Sequence, residues 1–139
     1  MLFASIRFWL AARKKLGPIQ ASEPLARFLT SSSHFSPGRV RQAAFLPPAD
    51  LKLSVFRTSE MEEADIWTLG HNHVERPSGR HLHGRAQLTP AAVRGCGLEV
   101  DPDDQPRRHA NLVGWPPEKA ERKQIALQLA AAAKVILSV

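Results

Sequence analysis

The strongest hydrophobic pattern in the chain closes it. Ile125, Leu129, Ala132 and Ile136 recur at helical spacing, with Ala126, Ala130, Ala133 and Leu137 beside them, which makes a broad apolar stripe on one helix face. Pro116 and Pro117 suit a first helical turn, where a fixed φ is already correct and a missing N–H costs nothing. Glu118 and Glu121 near the start and Lys134 near the end match the helix dipole, and Glu118 stands four residues before Arg122. A bilayer span needs about 20 apolar residues. This run is shorter and is broken by Gln128 and Lys134, so it predicts a long core helix.

Other elements follow from shorter patterns. Leu51, Leu53, Val55 and Arg57 alternate with Lys52, Ser54 and Phe56, which predicts a strand over residues 51–57. Ser59 and Glu62 have capping-box spacing and predict a helix carrying Met61, Ile66, Trp67 and Leu69, ended by Gly70. A strand is expected over residues 81–88. Thr89 as N-cap and Pro90 at the first position then open another helix, with Gly95 or Gly97 to end it. Residues 98–100 and 110–113 read as short strands around an acidic turn, D-P-D-D-Q-P, at 101–106. The stretch 21–42 is rich in Ser, Pro and Gly and reads as a loop after a short helical piece around 24–29. At the start, Leu2, Ile6, Trp9 and Leu10 can share a helical face that Gly17-Pro18 terminates.

The order of these elements predicts an α+β fold. A short sheet packs against a long C-terminal helix in a single small domain over residues 23–139. Residues 1–22 form a basic amphipathic extension whose helix is loosely attached. The length of 139 residues fits one domain, and neither an internal repeat nor a long internal linker is visible.

Charge changes the picture more than composition does. Residues 1–57 hold nine Lys/Arg against Glu23 and Asp50, and residues 58–139 hold ten against eleven acids. A basic first half attracts anionic partners, nucleic acid or nucleotide phosphate above all. Arg27, Arg39, Arg41, Lys52 and Arg57 form that basic set, with Phe28, Phe35 and Phe56 available for stacking, although no helix-turn-helix, RRM or KH signature accompanies them. A secretory signal carries its charges before its apolar core; here Arg13, Lys14 and Lys15 follow it. The single cysteine, Cys96, excludes an intrachain disulfide and fits a cytoplasmic protein. It follows a helix, where the dipole disfavours a thiolate, so it is read as inert.

The candidate chemistry is sparse. His109 follows Arg107 and Arg108 and leads into a buried strand. With Arg57 at another strand end, it sketches a phosphate site in which His109 exchanges a proton and the arginines hold the anion. Ser31, Ser32 and Ser33 with His34, Arg39 and Arg41 could surround a phosphate, without a Walker pattern. The pairs His71/His73 and His81/His83 have ligand-like i,i+2 spacing but no complete metal motif, so His81 and His83 are weak metal candidates and no cofactor is expected. Asp103 and Asp104 belong to a solvated turn and can face Arg107 or Arg108. Three functions follow. The first is a small accessory protein whose basic half binds nucleic acid or nucleotide phosphate. The second is an enzyme on phosphate-containing substrates, with His109 as acid/base and Arg57 plus Arg107 or Arg108 as anion holders. The third is a structural subunit whose protein partner covers the N-terminal helix.

Overall fold

A computed structural model describes residues 2–138, with side chains except those of residues 2–5 and 7. Helix α1 (Leu2–Arg13) is followed by strand β1 (Leu25–Leu29) and a small hairpin of β2 (Phe35–Ser36) and β3 (Arg39–Val40). Next come β4 (Leu53–Arg57), α2 (Glu63–Gly70), a π-helical turn (His71–Glu75) and α3 (Arg76–Ser78). The rest of the chain is β5 (Gly84–Leu88), α4 (Pro90–Gly95), β6 (Glu99–Asp101), β7 (His109–Val113), α5 (Lys119–Ala132) and β8 (Lys134–Leu137). Six strands form one sheet in the order β6-β7-β4-β1-β5-β8, with every neighbouring pair antiparallel. This is the α+β class that the alternating patterns imply.

The sheet is covered on both faces. On one, Leu25, Leu29, Leu53, Val55, Ala110 and Leu112 pack under Ala126, Leu129 and Ala130 of α5, together with Val93 and Phe45. On the other, Ala26, Phe28 and Phe56 pack against Ile66 and Leu69 of α2, with Phe8 of α1 at the margin. Burial on both sides explains why residues 25–29 show no alternation. The expected short helix there is instead the strand β1, paired with both β4 and β5.

Two ends differ from the expected pattern. The closing helix stops at Ala132, and Lys134–Leu137 turns back as edge strand β8 beside β5. Val135 and Ile136, β-branched, favour that pleat. The Arg122 guanidinium donates to the carbonyls of Pro116, at 3.0 Å, and Pro117, while only its backbone N–H reaches Glu118, at the carbonyl. The helix expected from the capping-box spacing at Ser59 starts at Glu63, with Glu62 in the N-cap position, where its side chain makes no capping bond, and the Ser59 hydroxyl is engaged by Glu23. Gly70 does not end its helix. A Cβ there would come within 2.7 Å of the Phe28 ring, so glycine lets helix and sheet touch. The helical path runs on to Ser78, and Gly79 at φ +70 ends it in the left-handed conformation. Thr89 caps α4 as expected, accepting the Ala92 N–H at 3.2 Å.

Helix α1 rests on the sheet's second face through Phe8, and its Ala11 carbonyl accepts Arg108 Nε at 2.7 Å. Ile6, Trp9 and Leu10 of the expected apolar face are exposed, and the side chain of Leu2 lies outside the described residues. Among the described residues no helix is long and apolar enough to cross a membrane.

The β5–β8 contact offers a direct test of the edge strand. A Cβ at Gly84 would fall 2.6 Å from the backbone oxygen of Ile136. Gly84→Ala is expected to destabilise the chain by about 1–3 kcal/mol, measured by urea unfolding, with loss of amide protection confined first to residues 134–137.

Candidate active site around His109

The turn before β7 folds back on the strand it leads into. Arg108 adopts a left-handed backbone at φ 77, which reverses the chain just ahead of His109. The Asp104 N–H donates to the His109 carbonyl at 3.0 Å, the His109 N–H donates to the Pro106 carbonyl at 2.9 Å, and Asp104 Oδ1 accepts the Arg108 N–H at 2.8 Å. Asp103 is thereby laid beside the two residues of β7 that share a face, His109 and Asn111. His109 Nδ1 lies 2.7 Å from Asp103 Oδ1, and Asn111 Nδ2 donates to Oδ2 at 3.1 Å. The Gln105 N–H also donates to Oδ1, at 3.2 Å. Partial burial works to raise the Asp103 pKa, yet these hydrogen bonds, that from His109 foremost, bring it below the ordinary carboxylate value. An ionised carboxylate only accepts, so Nδ1 carries the proton and Nε2 is the atom left to take or give one.

A second imidazole and a guanidinium share the space in front of this pair. His73, set by the π-helical turn, stacks on the Phe56 ring at 6.0 Å between centroids, while His109 meets the same ring edge-on at 5.3 Å. Desolvation against this wall, and then repulsion from His109, lower the His73 pKa below its ordinary value. Arg27 donates through Nε to the Ala44 carbonyl at 2.9 Å and through Nη1 to the Ser54 carbonyl at 3.2 Å. No partner for its Nη2 is found among the described residues. Burial lowers the Arg27 pKa to about 10, so it stays cationic at neutral pH. Arg27, Ser54, Phe56, His73, Val74, Pro77, Ser78, Pro106 and His109 line one cavity of about 410 Å³. His73 and Pro106 also line an adjoining cavity of about 590 Å³, walled by Phe8, Trp9, Ala12, Arg13, Asp104 and Arg107.

The other sequence candidates do not join His109. Arg57 is 6 % exposed and forms a two-pronged bond to Glu23, Nε–Oε2 at 2.9 Å and Nη2–Oε1 at 2.8 Å, with Nη2 also donating to the Gly17 carbonyl at 2.9 Å. Arg108 is 1 % exposed and is turned inward, donating to the carbonyls of Ala11, Arg57 and Ser59. Both guanidinium groups are turned into the chain and held there by carbonyls and Glu23, although Arg108 keeps its Nη2 buried without a hydrogen-bond partner among the described residues. Arg107 is exposed and ion-paired with Asp104. His34 accepts the Thr30 N–H through Nδ1 at 3.3 Å and does not line the cavity of about 460 Å³ that Arg39 and Arg41 share with Leu127 and Ala130. His81 and His83 lie edge to face at 4.8 Å. Glu75 takes hydrogen bonds from His71 and from the Leu82 N–H, and no group of three or more ligand residues able to hold a metal is found among the described residues. Phe28 and Phe56 are buried and unavailable for stacking on a partner. Cys96 is half-buried, and burial pushes its thiol pKa up.

Asp103 is the residue that sequence reasoning placed in solvent. The available signal was its distance from His109 across a proline-bounded turn, short enough for the chain to double back. His73 had no comparable signal, since nothing in H-N-H predicts a π-helical turn.

The Glu23–Arg57 bond holds the end of β4 and so the wall of the site. Burial works to raise the Glu23 pKa, but the hydrogen bonds from Arg57 and the Gln20 N–H leave it below its ordinary value of 4.5. A carboxylate with a depressed folded-state pKa contributes stability above its unfolded pKa and loses it as pH falls through the folded one. Glu23→Gln is expected to cost about 3–5 kcal/mol at pH 7, with the gap from wild type narrowing below about pH 4.5; a gap that stays constant with pH contradicts this. The chain matches no protein-family model, no curated protein and no solved structure, so the chemistry of the site is read from its own residues.

Proposed function

We propose that the chain is an enzyme acting on phosphate-containing substrates. In this reading His109, oriented by Asp103, is the acid/base group, and Arg27 takes the anion-holding role first considered for Arg57, Arg107 and Arg108. One observation carries it: a carboxylate-oriented imidazole faces a cavity that also holds a second imidazole and a cation. A phosphate ester needs proton transfer at the attacking and leaving oxygens and a positive group for the non-bridging oxygens. His109, His73 and Arg27 supply these three functions in one place. The basic first half of the chain draws an anionic substrate toward it.

Binding of an anionic macromolecule without chemistry has its own observation, the exposed Arg39 and Arg41 at a separate cavity. That reading predicts salt-sensitive association with nucleic acid that His109 substitutions leave intact.

Three chromogenic esters separate the cases: p-nitrophenyl phosphate, bis(p-nitrophenyl) phosphate and the p-nitrophenyl phosphodiester of uridine at its 3′-oxygen. Turnover of at least one is expected. His109→Gln should lower kcat/KM by about 10²–10⁴-fold, and Asp103→Asn should also lower it, with thermal stability of both variants close to wild type. Absence of turnover on all three, or unchanged rates in both variants, overturns the proposal.

A further inference from the structure

The two cavities around His73 define more than a phosphate pocket. The first presents imidazole nitrogens on two sides of Phe56, with Arg27 beside them. The second shares His73 and Pro106 with it and is lined also by Trp9, which is 54 % exposed. The Arg13 guanidinium lies over the Trp9 ring at 5.0 Å. An exposed indole beside a cation, one step from a phosphate pocket, is the arrangement that holds a stacked base next to its own phosphate.

The first cavity also narrows the nucleophile. Ser54 and Ser78 are the hydroxyl side chains on its lining. Ser78 is occupied, donating to the Val74 carbonyl at 2.7 Å and accepting the Arg80 N–H at 3.1 Å. Ser54 stands opposite Asn111 in the β4–β7 register, while His109 stands opposite Phe56, and no hydrogen bond joins Ser54 to His109. Neither serine is activated by an imidazole. A substrate with its own hydroxyl next to the phosphorus removes the need for one.

Resting on the phosphate-ester reading above, we infer that the substrate is single-stranded RNA, cleaved by attack of its own 2′-hydroxyl, with a base seated on Trp9 and Arg13. One imidazole takes the 2′-hydroxyl proton as that oxygen bonds to phosphorus. The bond from phosphorus to the 5′-oxygen breaks, and the leaving oxygen receives a proton from the other imidazole. The products are a 2′,3′-cyclic phosphate and a free 5′-hydroxyl end, so protons balance and no further reactant is consumed. Arg27 meets the charge on the non-bridging oxygens. His73 is the proton acceptor of the pair, in keeping with burial against Phe56 that lowers its pKa.

The test incubates the full chain with a mixed-sequence single-stranded oligoribonucleotide and, separately, with the deoxy oligonucleotide of the same sequence. Expected are RNA fragments ending in 2′,3′-cyclic phosphate, an intact deoxy strand, and loss of cleavage in both His109→Gln and His73→Gln. Ser54→Ala should cleave as wild type does. Trp9→Ala should raise KM for the oligoribonucleotide about tenfold, the worth of one stacked base, with a smaller effect on kcat. Cutting of the deoxy strand at a similar rate, dependence on Ser54, or a KM indifferent to Trp9 overturns the inference. His109-dependent turnover of bis(p-nitrophenyl) phosphate with RNA left intact overturns it too, and leaves the broader phosphate-ester reading standing.

Discussion

The structure hangs on a buried arginine placed where the backbone resists being. Arg108 has a left-handed backbone, which costs a residue with a Cβ about 1 kcal/mol or more, and it carries a cation into the interior. Three carbonyls repay that arrangement: Ala11 at the end of α1, Arg57 at the end of β4, and Ser59 in the following turn. The Arg57 N–H returns the contact by donating to the Arg108 carbonyl at 2.8 Å. Arg57 itself reaches outward to Glu23 and the Gly17 carbonyl, so the connection from α1 to β1 is tied to the same point. Four separate segments converge here, and charge-assisted hydrogen bonds to carbonyls are the means.

This convergence also explains how a site can sit beside it. In the β4–β7 register His109 stands opposite Phe56 and so shares the second face of the sheet with it. The reversal at Arg108 likewise brings Asp103 alongside His109. Arg57 and Arg108, two of the arginines read from sequence as anion holders, are thus bonded within this tie, to Glu23 and to backbone carbonyls. Arg85 shows the same use of a buried cation elsewhere. It is 2 % exposed, bonded by both nitrogens of its fork to Glu63, and laid over the Trp67 ring at 4.8 Å.

Much of the architecture was readable from pattern. Leu53, Val55 and Phe56 announced β4, Thr89 and Pro90 announced α4, and the Ala/Leu stripe announced α5. The failures have physical reasons. Leu25 to Leu29 lost its alternation because both faces of the strand are covered, and such a run cannot be told from helix by period alone. Ile136 and Leu137 fell on the α5 stripe by spacing, though their partners lie in strand β5. Within the site, His109 was legible as a histidine entering a buried strand. Sequence shows the charges of Arg57 and Arg108 without showing that both face inward. His73 and Asp103 depend on a π-helical turn and on a loop doubled back at Arg108, neither of which has a hydrophobic pattern in the sequence.

The most direct measurement is the protonation pattern of the His109 ring, read by long-range ¹⁵N–¹H correlation spectra of the neutral form. The account predicts a hydrogen on Nδ1 and a bare Nε2, with that preference weakened in Asp103→Asn. A ring that carries its hydrogen on Nε2, or that shows the same pattern after Asp103 is replaced, would contradict it.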